Sequence, residues 1–306
     1  MIDINTLREN SEIISSSLDQ RQDKIDLKSI LDLDNQKRKL IQQNDELKYK
    51  KNIVSKKLGQ TDQKPISLIE EMRETGNQIK NLDLKLEKIG TKLNYLLSTI
   101  PNLVSDNVPY GKDENENKVI KTVGEIKKFD FTPKPHWELG TDLNIIDFER
   151  GVSTSGSRFF ILKGKGAKLQ RALINWMTDF HQKEFDCQEL YLPNLVNEKT
   201  VFGSGQLPKF GENMYIDTDE NLWLVPTAEV PITGMHQNEV FNFENLPINY
   251  VAHTPCYRKE KASAGKDKRG MKRVHQFEKI EIYKFVEPQN SENELKKLIT
   301  QVTEIC

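Results

Sequence analysis

The chain has 306 residues, 45 of them Lys or Arg and 46 Asp or Glu, so its formal net charge is −1 and any anionic partner must be met by a local patch. It is 36% hydrophobic and 30% charged, enough for one or two cores, and its length suggests about two domains. No run approaches the roughly 18 apolar residues of a membrane span, and the opening MIDINTLREN lacks the basic and apolar regions of a secretory signal, which points to the cytoplasm. Cys187, Cys256 and Cys306 lie too far apart for a disulfide framework or a Cys-x-x-Cys metal site; they read as reduced thiols, and no metal ligand is assigned.

From residue 30, seam positions alternate by three and four. Leu33, Leu40, Leu47 and Val54 form one seven-residue series, and Ile30, Lys37, Asn44, Lys51 and Leu58 form the other. A second segment repeats the pattern more strongly, with Leu68, Met72, Thr75, Ile79, Leu82, Leu86, Ile89, Leu93 and Leu96. In the GQTDQKP between them, Gly59 can end one helix and Pro65 start the next. The spacing predicts an antiparallel helical hairpin over about 28–98, within an N-terminal domain at 1–98. At 1.5 Å per residue, helices of some 30 residues make an arm of roughly 45 Å, with too little core to be globular, so it should project into solvent. Residues 27–98 carry fifteen Lys or Arg and ten Asp or Glu, a net +5 that leaves −6 for the rest of the chain. That excess suits solvated helix faces or contact with nucleic acid. A dimerisation zipper is a further reading, weakened by the polar seam residues Lys37 and Asn44.

Residues 99–130 carry prolines and a charge run and read as a linker. In the second domain, 131–306, ALINWMTDFHQKEF has helical periodicity, whereas NMYIDTDENLWLVP, INYVAHTPCYRKE and VHQFEKIEIYKFV read as strands. The fold class is α+β: a helical hairpin followed by a domain built on an antiparallel sheet. Neither GxGxxG nor GxxxxGK[ST] occurs. Between Arg258 and Arg273 stand eight basic side chains and two acidic ones, in the long tip of a strand hairpin. Period-two alternation puts Arg258 and Glu260 on one face of the first strand. In the second, Arg273, Phe277 and Glu281 share a face, with Ile280 and Ile282 opposite. A cleft with two guanidiniums, two carboxylates and a ring suits phosphate oxygens and a nucleobase. A salt-bridged sheet surface is the alternative. His275, on the face of Arg273, is read as structural.

These residues resemble those of the class II aminoacyl-tRNA synthetases and, within them, the seryl-tRNA synthetase family. CYRKE followed by HQFEKIE is similar to motif 2. GSGQLPKF, VPTAEVPIT and HWELGTDLNIIDFERGVSTSGSRFFILKGKGAKLQRALI are similar to further family segments, and ELYLPNLV resembles the motif 1 dimer region. The resemblance implies a catalytic domain that activates L-serine with ATP and Mg²⁺ to seryl-adenylate and passes serine to the 3′ end of tRNA(Ser). It implies that Arg258 holds the α-phosphate and the serine carboxylate, that Lys259 and Glu260 help bind ATP, that Arg273 reaches the terminal phosphates, and that Phe277 stacks on adenine. It places Thr227, Ala228, Glu229 and Glu281 around the serine amino and hydroxyl groups; from the residues alone, Thr227 and Glu229 also read as a helix start. It implies a homodimer, with the arm on tRNA. Family members continue past the helix that ELKKLITQVTEIC resembles to motif 3 and its ATP-binding arginine, so the catalytic domain is expected to be incomplete at its C-terminal side and the 306-residue chain to make adenylate poorly by itself. Three other readings stay open here: a non-catalytic tRNA-binding paralog or fragment, an amino-acid:carrier-protein ligase, and a coiled-coil interaction protein with an inert second domain.

Overall fold

The computed structural model describes residues 2–59, 65–261 and 269–306. The tip of the helical hairpin at 60–64 and the middle of the basic loop at 262–268 lie outside the described residues. Contacts divide the chain into two units, Met1–Ile120 and Lys121–Cys306.

The first unit is helical: α1 (Ile4–Glu9), α2 (Ser11–Gln20), α3 (Leu27–Gly59) and α4 (Ile66–Thr99). The side chain of Asp3 starts α1 by accepting the Asn5 amide at 2.7 Å. Leu7, Ile14 and Leu18 of the short helices pack with Ile30 of α3 and with Leu93, Leu97 and Ile100. This core closes the open end of the hairpin. Arg8 reinforces it with a forked pair onto the buried Asp34, Nε to Oδ2 at 2.8 Å and Nη2 to Oδ1 at 2.7 Å.

Along the hairpin, every seam position expected from the heptads is buried or half-buried, because a seven-residue period is a local property that the neighbouring helix only has to match. The polar half of the seam is ordered too. Asn44 Nδ2 donates to Asp83 Oδ1 at 2.6 Å. Lys37 reaches over Gly90 and Lys51 over Gly76, their ammoniums 3.9 and 3.8 Å from where a Cβ would stand. Steps of seven down α3 are thus matched by steps of seven up α4. Residues 102–112, inside the segment read as a linker, are held by the end of α2 and the turn after it. Arg21 Nε donates to the Asn102 carbonyl, Gln20 Nε2 to that of Val108, and Gln22 Nε2 to those of Gly111 and Lys112.

The second unit runs α5 (His136–Asp142), β1 (Ile146–Asp147), α6 (Phe148–Ser155), β2 (Ile161–Leu162), α7 (Lys165–Phe185), β3 (Gln188–Leu190), β4 (Leu195–Asn197), α8 (Glu198–Gly203), β5 (Ile216–Asp217), β6 (Leu222–Leu224), α9 (Glu229–Met235), β7 (Ile248–Tyr257), β8 (Gln276–Phe285) and α10 (Ser291–Ile305). The site rests on the β7–β8 hairpin, antiparallel over ten residue pairs from Ile248↔Phe285 to Tyr257↔Gln276. β3 joins β7 in parallel, the one departure from antiparallel pairing in that sheet. β4, β6 and β5 form a separate small antiparallel sheet. Alternation in β7 buries Tyr250 and Ala252 with Ala228 and Ile232 in one core, while Val225 and Val230 join Val196, Val201 and Met214 in a second. The turn at 226–228 therefore lies between two cores, which fixes the residues that face β8.

Candidate active site

Two anchors set the base of the basic loop. The Arg258 amide donates to the His275 carbonyl at 2.9 Å, and the Lys259 amide to that of Asn213 at 2.8 Å. His275 returns a contact through Nδ1 to the Arg258 carbonyl at 2.9 Å and packs on Phe159 and Tyr215, which gives it a structural part. The strands stop short of the two arginines, since β7 ends at Tyr257 and β8 begins at Gln276. Alternation therefore does not extend to Arg258, Glu260 or Arg273. Glu260 takes a left-handed backbone with φ +47, a strained choice for a side chain of this kind. Its carbonyl accepts from Arg158 Nη1 at 2.9 Å, and its carboxylate lies 3.6 Å from the Arg273 guanidinium.

Arg258 is aimed by two contacts. Its Nε donates to the Pro226 carbonyl at 3.2 Å, and its guanidinium carbon stands 5.2 Å from the centre of the Phe277 ring. Phe277, Lys279, Glu281 and Tyr283 alternate along one face of β8. Glu281 is 12% exposed and bound from three directions. Thr227 Oγ1 donates to its Oε2 at 2.6 Å, the Ala228 amide to the same oxygen at 2.8 Å, and Lys279 Nζ to Oε1 at 2.8 Å. Lys279 also donates to Thr227 Oγ1, at 2.6 Å. Glu229 opens α9 beside this group. The residue is exposed as a whole, but partial loss of water around its carboxyl, then hydrogen bonding with Glu281 and the charge of Glu281, push that carboxyl above the usual range. Burial works against the charge of Glu281 as well, but hydrogen bonds with Glu229, Lys279 and Thr227 override it and hold that carboxyl below the usual range. One carboxyl is inclined to keep a proton and its neighbour to stay ionised.

The structure thus brings Arg258 onto Phe277, Thr227 and Ala228 onto Glu281, and Arg273 toward Glu260. Lys259 lies at the start of the loop with its ammonium 5.5 Å over the Tyr215 ring. Three contributors have no part in the sequence reading. Lys279 was legible, because alternation places it between Phe277 and Glu281. Arg158 and His136 were not. His136 Nε2 accepts the Met271 amide at 3.0 Å beside Gly270 (φ +81), a contact 135 residues apart in the chain. A mostly apolar cavity of about 650 Å³ runs between α7 and the hairpin, lined by Phe277 and Ile280 but by none of Arg258, Thr227 or Glu281. Among the described residues, no group of three or more His, Cys, Asp or Glu could hold a metal ion. Nor is any described helix long and apolar enough to cross a membrane.

A positioned guanidinium beside a ring can hold a phosphate next to a base, and two carboxyls with a hydroxyl can take an ammonium and an alcohol. Comparison with known proteins agrees with that chemistry. Residues 1–104 match the seryl-tRNA synthetase N-terminal domain, and residues 212–306 the class II tRNA synthetase core domain shared by the G, H, P, S and T enzymes. A serine–tRNA ligase of Dehalococcoides mccartyi is 47% identical over 306 residues, all of this chain and 73% of the relative. One of Roseiflexus sp. is 47% identical over 309 residues, with the same shares. Among solved structures, the seryl-tRNA synthetase of Pyrococcus horikoshii complexed with ATP superposes with a TM-score of 0.88 at 31% identity, covering all of this chain and 74% of that one. The cytoplasmic serine–tRNA ligase of Naegleria fowleri, in complex with AMP, gives 0.82 at 28% identity, covering 98% of this chain and 71% of that one. With likeness running through the helical arm and the sheet domain alike, at 47% identity over its whole length, the chain belongs to the seryl-tRNA synthetase family.

Proposed function

We propose that the β7–β8 hairpin is where this ligase joins L-serine to AMP, and that the basic helical arm holds the tRNA(Ser) that then receives the serine. The observation that supports it best is the division of the hairpin: Arg258 lies on Phe277 toward the loop, and the Thr227–Ala228–Glu281 group lies further along the same strand face. Adenine stacks on Phe277, and Arg258 bridges the α-phosphate and the serine carboxylate. Lys259 and Glu260 assist ATP at the start of the loop, and Arg273 meets the terminal phosphates. Thr227, Ala228, Glu229 and Glu281 enclose the serine ammonium and hydroxyl.

A carboxylate oxygen of serine attacks the α-phosphorus, and the bond to the bridging oxygen breaks as pyrophosphate leaves with its electron pair. The nucleophile is already ionised, so no general base is needed. The chain's contribution is positioning and fixed positive charge where negative charge builds up. Mg²⁺ arrives as part of the substrate, MgATP, in keeping with its habit of binding through phosphates and one or two carboxylates. The polar pocket also bears on specificity. Alanine would leave buried hydrogen-bonding groups unpaired, a penalty that an apolar pocket could not impose. Contacts of the arm are with backbone and shape.

A homodimer belongs to the same reading. α7 exposes Leu169, Leu173 and Trp176 at helical spacing, and Tyr191 of the following segment is fully exposed. The setting is the cytoplasm. Serine-dependent ATP–pyrophosphate exchange, measured beside tRNA charging, tests the proposal: exchange driven by serine and not by alanine is expected, and exchange indifferent to the added amino acid would overturn it.

A further inference from the structure

The amino-acid pocket as read above contains one cation with no assigned part. Lys279 stands on β8 between the ring given to adenine and the carboxylate given to serine, opposite Thr254 in the strand register. Its ammonium bridges Thr227 Oγ1 and Glu281 Oε1 at 2.6 and 2.8 Å, and its side chain is 27% exposed. With Lys279, Thr227 and the Ala228 amide all donating to it, Glu281 is largely committed within the chain, and its geometry survives without a ligand. Glu229 receives none of these three donors and meets the group through its hydrogen bond with Glu281.

Charge counting sharpens this. The groups that face Lys279 are Glu281 on its own strand, Glu229 at the start of α9, and Arg258 and the buried Cys256 thiol from β7 and its end. With both carboxyls ionised, as an arriving ammonium makes them, two carboxylates and two cations balance, and the zwitterionic amino acid adds no net charge. Its carboxylate meets Arg258, and its ammonium needs a carboxylate that no internal cation already holds. That requirement fits Glu229 and not Glu281.

We propose that Lys279 is a positioning residue of the amino-acid pocket: its ammonium forms the pocket's internal ion pair with Glu281 and holds the Thr227 hydroxyl beside it, and so leaves Glu229 to bind the ammonium of the substrate. The inference rests on the serine-activation reading given above. The raised pKa direction of Glu229 agrees with it, since a carboxyl that keeps its proton in the empty pocket gives it up when an ammonium arrives.

The test compares Lys279→Met and Lys279→Arg with the unmodified full-length protein in serine-dependent ATP–pyrophosphate exchange, from pH 6 to 9, with circular dichroism as the check on folding. Lys279→Met should raise the serine KM by about tenfold or more near neutral pH and leave the ATP KM within about twofold. Its acid limb in kcat/KM for serine should move to higher pH, because a desolvated carboxyl without its cation takes up a proton more readily. Lys279→Arg should keep the acid limb in place and recover most of the serine KM. A folded Lys279→Met protein with an unchanged serine KM, or one in which the serine and ATP KM values rise together with an unmoved pH profile, overturns the proposal. Absence of serine-dependent exchange in the unmodified protein would instead count against the activation reading itself.

Discussion

In the α3–α4 hairpin the polar seam residues are settled in separate pairs, Asn44 with Asp83, Lys37 over Gly90 and Lys51 over Gly76. On the β7–β8 hairpin they are pooled: Thr227, Lys279 and Glu281 share donors in one group with Glu229 beside them, and the two carboxyls are shifted in opposite directions. Both hairpins are antiparallel and both carry an excess of positive charge. The difference lies in what removing one member does. In separate pairs the loss stays local: without Asn44, for example, the half-exposed Asp83 can turn to water. In a pooled group it leaves a desolvated charge for the rest to accommodate. The arm is accordingly built as a scaffold, and the strand hairpin has the build that the proposed site requires.

The strongest way to separate the two is to delete the arm. In the full-length protein, removal of residues 30–96 should abolish tRNA charging and leave serine-dependent exchange largely intact; equal loss of both would break the division. Charging should also fall steeply with added salt while exchange changes little, since phosphate contacts release counterions and the small-substrate site makes few of them. Next in size, Arg258→Ala should lower exchange by about a hundred- to a thousandfold, the range seen when one donor that stabilises developing charge is lost. Normal exchange in that variant would mean that the guanidinium stacked on Phe277 has no part in the chemistry.

Smaller effects sharpen the contrast. Glu281→Gln should raise the serine KM about tenfold or more, the cost of losing a charged hydrogen-bond partner, and spare the ATP KM. The seam provides the matching change at the other hairpin. Asn44 is 2% exposed, and its Oδ1 has no hydrogen-bond partner. Asn44→Leu should therefore raise the stability of the helical unit by about 1 kcal/mol in thermal unfolding, with exchange and charging nearly unchanged. A loss of activity as large as that of Glu281→Gln would show that the arm's polar pairs are pooled after all.

How far the sequence reaches follows the same line. The arm was legible down to individual seam positions, because Leu33, Leu40 and Leu47 repeat at a period set by the helix itself. The strands of the site were legible for a similar reason, and alternation along HQFEKIEIYKF also contained Lys279, which charge alone did not make conspicuous. Arg258, Glu260 and Arg273 are different. They lie beyond the strand ends, where no period operates, and their placement depends on a left-handed Glu260 and on Arg158 from 102 residues away. The turn that brings Thr227 and Ala228 to Glu281 likewise needs two cores to form around it. Contacts of that kind are decided by the assembled fold.

The matched sevens of the arm can also be read as the teeth of a key. If α4 slipped by one heptad in either direction, Asn44 would meet a glycine in place of Asp83, and either Lys37 would be pressed against Leu97 or Lys51 against Ile69. Each such slip would shift one helix along the other by roughly 10 Å. Only one alignment gives every long stem a notch and the amide a carboxylate. The arm is thereby a gauge of fixed length, its register setting how far α3 and α4 extend from the core at their base.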